Sequence, residues 1–317
     1  MPDAVLMVDG TARIALAPGV TLEGSRLEDR IRGMQYPMAG LGPEILDQLI
    51  GGESVDRVAT AVATKYAIET RRVVSDIAAF VSELDGQALI STRQNYWVNI
   101  RAFIQALAIA ALSPMSLLML DTSALAQPAR RYPTNMLFVI LACLEAQSLL
   151  IAGTLVLITA TVTLKVIAAW TQQVDPLAVG IFAGARPIFA LVMFALIFIC
   201  HEAGHLLALR ALGMKVRSVS ARMWVVGITY VPGSPFEMLL VAIAGPLLAF
   251  GSALVFALLV SALSPNAYGT GSIEVSYILL FGLLHLWSLR PWTGDGRQLA
   301  SAVITLTRER RRARGTA

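Results

Sequence analysis

Residues 191–209 read LVMFALIFICHEAGHLLAL. Ten apolar residues run straight into His201-Glu202-Ala203-Gly204-His205, and apolar residues resume at Leu206. An ionisable residue at the centre of a bilayer costs about 2.5–3.5 kcal/mol on insertion scales. Three such groups within five residues therefore need a compensating partner. On a helix, positions i and i+4 differ by about 40° in azimuth and one turn in height. Both imidazoles then face one point, where a Zn²⁺ can bind each at about 2.0–2.1 Å. Glu202 projects beside them and suits a general base acting on a water at that metal. One short stretch thus calls for a membrane helix and a metal site together.

Composition supports the membrane half of this reading. The chain has 317 residues, of which 56 % are apolar and only 15 % charged, and its mean hydropathy is +0.68. Soluble domains carry about 25 % charge. A soluble enzyme, a nucleic-acid-binding module and a disordered chain are all disfavoured. An integral membrane protein in contact with the lipid bilayer is expected. Apolar runs long enough to cross lie at Asn135–Thr163, Pro187–Leu212, Met238–Leu263 and Val275–Leu289. A weaker run, Ala102–Leu120, carries Gln105, Ser113, Pro114 and Ser116 and reads as an interfacial or re-entrant segment within a connector spanning 96–134.

Charge follows the same division. Residues 1–95 hold 9 Lys/Arg against 13 Asp/Glu, a net of −4, whereas residues 96–317 hold 16 against 8, a net of +8. The positive-inside rule places Arg130 and Arg131, the group Lys215, Arg217 and Arg222, and the basic tail 308–317 on the cytosolic side. Residues 1–20 lack a basic start followed by an apolar run, so no signal peptide is read and the acidic head is expected in the cytosol. Cys143 and Cys200 both lie in apolar runs and imply no disulfide framework.

Residues 1–95 read as a small α+β domain. Asp9-Gly10 is a turn signal between strands at Ala4–Val8 and Arg13–Ala17, and a second pairing is expected between Thr21–Glu23 and Arg30–Tyr36. Three short helices follow. The first carries Ile45, Leu46, Leu49 and Ile50 and stops at Gly51-Gly52. The second is capped by Ser54, and the third carries Val73, Ile77, Phe80, Val81 and Leu84 as far as Gly86. Ala88–Ser91 returns as a strand, which completes the pattern of a winged helix. Its negative charge opposes nucleic-acid binding, since that affinity comes largely from phosphate neutralisation.

Four groups of residues resemble the site-2 protease family of intramembrane zinc metalloproteases. They are His201-Glu202-Ala203-Gly204-His205, the glycine break Gly213-Met214-Lys215-Val216, Ala244-Gly245-Pro246, and Ser288-Leu289-Arg290-Pro291-Trp292-Thr293-Gly294-Asp295-Gly296. The resemblance covers about residues 135–307. It implies an α-helical polytopic core over 135–307 with a zinc ion held by His201, His205 and Asp295, and Glu202 as the catalytic base. Ser288 stands where the family usually has Asn, so the substrate or oxyanion contact of that Asn is not carried over. The stretch between Pro291 and Asp295 is also less proline-rich than in the family.

The residues give their own case for a third ligand. Near the bilayer the candidates are Glu145, Glu202, Glu237, Asp295 and His285. Asp295 follows the last apolar run and should match the depth of His205, with Gly294 and Gly296 letting the backbone turn the carboxylate inward. His285 lies ten residues earlier, nearly three helical turns, and is expected to pack in the bundle or to sit outside the ligand set. Glu145 is expected to pair inside the bundle. Val216–Val231 is β-branched and ends at Pro232-Gly233, so it reads as a strand or hairpin and is the candidate substrate-binding strand.

The stretches Gly42-Pro43-Glu44-Ile45-Leu46, Gly51-Gly52-Glu53-Ser54-Val55 and Val74–Leu84 resemble the PqqD-like peptide-recognition domains. That resemblance covers about residues 4–91 and implies a precursor or leader peptide of a ribosomally made, modified peptide as the partner. The combined expectation is a zinc endopeptidase of a bacterial cytoplasmic membrane that matures such a peptide. Two alternatives are regulated intramembrane cleavage of a membrane-anchored regulator, and a non-enzymatic zinc-containing peptide-binding or transport protein.

Overall fold

In the computed structural model, residues 10–93, 129–172, 175–222, 225–263, 271–291 and 293–315 are described. The chain divides into two compact units, residues 1–146 with 215–231, and residues 147–214 with 232–317.

In the first unit, frequent turn residues keep the elements short. Strand β1 (Arg13–Leu16) pairs antiparallel with β5 (Ile90–Arg93), placing Ile14 and Ile90 in the core. Strands β2 (Val20–Glu23), β3 (Arg26–Asp29) and β4 (Met34–Pro37) form a meander. The single strand expected over Arg30–Tyr36 is therefore corrected. Gly24, at φ 61°, turns the chain early into β3, and Asp29 then closes a second turn. Its Oδ1 accepts hydrogen bonds from the backbone N–H of Ile31 at 3.1 Å and Arg32 at 3.2 Å. The strand expected at Ala4–Val8 lies outside the described residues.

The helices follow the apolar periodicity. They are α1 (Gly42–Ile50), α2 (Val55–Tyr66) and α3 (Thr70–Gly86). Ser54 caps α2 by accepting from the Arg57 N–H at 3.4 Å. Leu46, Leu49, Val55, Val58, Ile77 and Val81 interlock beneath the strands.

A third sheet in this unit has the order β6-β7-β8, from β6 (Arg130–Tyr132), β7 (Val216–Arg222) and β8 (Val225–Tyr230). Two buried ion pairs join it to the acidic domain. Arg131 Nη2 lies 3.1 Å from Asp85 Oδ1, and Arg217 Nε lies 3.3 Å from Asp29 Oδ2 with both side chains at 0 % exposure. Arg217 Nη1 also donates to the Gln87 carbonyl at 3.1 Å. Removing one partner of a buried pair leaves an uncompensated charge, at about 3–5 kcal/mol. Asp29→Ala in the full-length protein is expected to lose that much local stability. Amide exchange over residues 13–93 should accelerate by more than about 100-fold. Unchanged exchange would show the pair to be dispensable.

The long helices are apolar on every face, which suits lipid rather than water. Helix α4 (Met136–Thr171) begins in the first unit and continues in the second. Helices α5 (Pro176–Ala211), α6 (Pro235–Leu263) and α7 (Gly271–Leu286) follow. A 3-10 turn (Trp287–Leu289) leads to α8 (Gly294–Gly315). Three stretches are long and apolar enough to cross a membrane: Ile151–Thr171, Gly184–Ala211 and Pro235–Leu263. Their outward side chains are large and apolar, with Trp170 at 78 % and Leu263 at 82 % exposure.

The span expected at Val275–Leu289 instead belongs to a helix pair bent by 42°, Ile273–Leu289 with Gly294–Glu309, which is a fourth span if the two act as one. Within the second unit α6 packs against α5, α7 and α8. The basic stretch from Arg308 continues α8 as far as Gly315. The weak run 102–120 lies outside the described residues.

Candidate metal centre

Helix α5 carries His201, Glu202 and His205 on adjacent turns, all buried. No charged residue interrupts the helix between Arg186 and Glu202, so these groups follow an apolar run. Helix α6 comes close to α5 where both chains are small. A Cβ on Gly204 would stand 2.6 Å from the Ala244 carbonyl oxygen, and one on Gly245 would collide with the His205 imidazole. The helix runs on unbroken through Pro246. Ala244-Gly245-Pro246 therefore makes room for His205 without ending α6. Val241 of α6 completes the seat: its carbonyl accepts the His205 Nδ1–H at 2.8 Å.

Asp295 arrives from the opposite direction. Thr293 caps α8, its Oγ1 accepting from the Gly296 N–H at 3.3 Å. Asp295 thus sits in the first turn, where the helix favours a carboxylate. The glycines act differently from the expectation. Neither Gly294 nor Gly296 has a positive φ, and Gly296 matters because a Cβ there would strike the backbone of Arg290.

The ligand atoms converge. His201 Nε2 lies 3.2 Å from His205 Nε2 and 3.1 Å from Asp295 Oδ2, and His205 Nε2 lies 3.4 Å from Asp295 Oδ1. Bonds of about 2.0–2.2 Å in a tetrahedron separate ligand atoms by about 3.3–3.6 Å. The donor set is also one that suits a cation. Since a carbonyl can only accept, His205 Nδ1 holds the proton. When His205 is neutral, its bare Nε2 lone pair faces a carboxylate oxygen and a second imidazole nitrogen. Three acceptors facing one another repel unless a cation lies between them. His201, His205 and Asp295 form the one group of at least three such side chains that can hold a metal among the described residues.

The other candidates are placed elsewhere. Glu145 accepts from Tyr132 Oη and lies 3.5 Å from Arg130 Nη1 in the first unit. Glu237 accepts from the Ser234 N–H at 2.6 Å while its own N–H reaches Ser234 Oγ at 3.3 Å, a capping box at the start of α6. Two residues stand nearer than the sequence suggested. His285 Nδ1 is 3.1 Å from His201 Nδ1, and because α7 ends at Leu286 and the chain then bends, Asp295 comes back to the same group. The depth argument, which assumed a continuing helix, is corrected. Ser288 Oγ lies 2.9 Å from Asp295 Oδ2. Serine at that position carries no chemical signal in sequence, and only the 3-10 turn brings it to the aspartate.

Val216–Val231 forms the β7–β8 hairpin, with β7 central and β8 at an edge of its sheet. The acidic domain has a groove of about 490 Å³ at the β4 edge, lined by Tyr36, Met38, Ile45, Ile77 and Phe80, with Asp76 and Glu83 among its walls. No family model, curated protein or solved structure matches the chain.

Proposed function

We propose that the protein is a zinc endopeptidase of a bacterial cytoplasmic membrane that matures a ribosomally made precursor peptide. One observation carries the reading: His201, His205 and Asp295 converge beside buried Glu202 on a helix fit to cross a membrane. A donor set of two imidazoles and a carboxylate is that of catalytic zinc, which keeps a fourth position open, rather than of structural zinc. When bound, the ion supplies Lewis acidity to the scissile carbonyl and acidity to water. Glu202 takes the proton of the attacking water and later returns it to the leaving amine. His205 is held for this by Val241, and Asp295 by Ser288.

The N-terminal domain, read as a PqqD-like winged helix, captures the peptide. Among the described residues β4 has an outer edge with no paired strand, which offers backbone pairing to an extended chain, and the adjoining groove takes its apolar side chains. Asp76 and Glu83 favour a neutral or basic segment. Capture raises the local concentration of peptide at the membrane site. The edge strand β8 is a second candidate to pair with an extended peptide. By the positive-inside rule, Arg130, Arg131, Lys215, Arg217, Arg222 and the basic end of α8 favour a cytosolic side for this domain and the C-terminus.

Deleting the domain would strip Arg217 and Arg131 of Asp29 and Asp85, so a groove substitution tests recruitment more cleanly. Phe80→Asp should raise KM about 10–100-fold for any peptide the wild type cleaves, with kcat unchanged. An unchanged KM would remove the groove from substrate capture and favour a regulatory role for the domain.

A further inference from the structure

Each member of the converging triad has an outer partner, and one is of an unusual kind. His205 Nδ1 meets a backbone carbonyl and Asp295 meets a hydroxyl, but His201 Nδ1 meets the Nδ1 of a second imidazole, His285, at 3.1 Å. A carbonyl accepts whatever its surroundings. An imidazole nitrogen accepts only when it is the bare one of its ring.

The protons can be placed. His201 Nε2 faces His205 Nε2 and Asp295 Oδ2, so in the metal-holding state it must be bare. The His201 proton is then on Nδ1, which donates to His285. His285 Nδ1 must be bare in turn, and its proton lies on Nε2. The His285 ring is kept in this position by Phe198, with ring centroids 5.9 Å apart, and by the His201 ring at 4.7 Å. It offers no atom to the ligand group itself.

From this chain of contacts we infer that His285 is a positioning residue: it locks His201 in the tautomer and ring orientation that turn Nε2 to the metal. The inference rests on the metal reading above. It adds a fourth side chain whose loss weakens the centre without removing a ligand. Outer partners of metal-bound histidines are typically worth about 10–100-fold in metal affinity.

The test compares two substitutions in the full-length protein in detergent. His285→Phe keeps a ring against Phe198 and removes the acceptor. His285→Asn gives up the ring and keeps an acceptor, since Oδ1 branches from the same carbon position as Nδ1. Affinity for Zn²⁺ and Co²⁺ is read by competition with a chromophoric chelator, and ligand geometry by the visible absorption of the Co²⁺ form.

The Phe variant should bind about 10–100-fold more weakly, with an altered Co²⁺ spectrum. The Asn variant should stay close to wild type in both. A Phe variant that binds as the wild type does would overturn the inference. So would equal losses in both variants, which would reduce His285 to packing. A wild-type protein that takes up neither ion would overturn the metal reading, and this inference with it. If the Phe variant does not fold, His285→Ala provides the same contrast with Asn.

Discussion

Glu202→Gln is expected to abolish peptide cleavage while leaving the metal in place. The substitution keeps the shape and length of a side chain at 8 % exposure, so the surrounding packing is retained. It removes only the capacity to take up a proton. General-base catalysis contributes about 10²–10⁴-fold, and the residual rate should fall by that factor. Metal affinity should change little, because Glu202 is outside the converging group of His201, His205 and Asp295. This pairing of outcomes separates an enzyme from a peptide-binding or transport protein. A scaffold with structural zinc would lose nothing when Glu202 is replaced. Cleavage by the variant at the wild-type rate would contradict the proposed mechanism.

Asp295→Ala should have the opposite signature and remove the metal itself. The carboxylate is the only anionic member of the group, with oxygens 3.1 Å from His201 Nε2 and 3.4 Å from His205 Nε2. Its loss leaves two neutral imidazoles to hold a divalent cation. The affinity loss should exceed the roughly 10–100-fold that an outer partner is worth, which is more than about 2.7 kcal/mol. Elemental analysis of the purified variant should find it nearly metal-free, whereas His285→Asn should retain its ion. The reverse pattern would exchange the roles of Asp295 and His285. The substitution should leave the membrane helices intact, since Asp295 lies in the first turn of α8 rather than between packed apolar faces.

What the sequence revealed depended on how local the cause was. The helix through His201 and His205 is legible because its apolar run and its i, i+4 spacing lie in consecutive residues. The three head helices are legible for the same reason, with Ser54 marking the start of α2 and Gly51 the end of α1. The split of Arg30–Tyr36 was not foreseen, because the turn there is made by the Asp29 side chain reaching forward to two backbone N–H groups. His285 sits outside the ligand group as expected, but its depth argument assumed a continuing helix, and the bend before α8 removes that assumption. The union of residues 215–231 with the acidic domain is the least legible feature. It depends on Arg217 meeting Asp29 across nearly two hundred residues, and in sequence that arginine reads only as a topology signal.

The most direct test of the central claim measures metal and cleavage in one preparation. Full-length wild type and Glu202→Gln are purified in detergent, stripped with a chelator, and reloaded with increasing Zn²⁺. Each is then incubated with a library of extended peptides carrying basic segments, and products are read by mass spectrometry. Both proteins should take up one ion per chain, and only the wild type should yield hydrolysed peptides, in proportion to its zinc content. Wild-type protein that binds the ion and cuts no peptide, or that cuts equally well when stripped, would contradict the account.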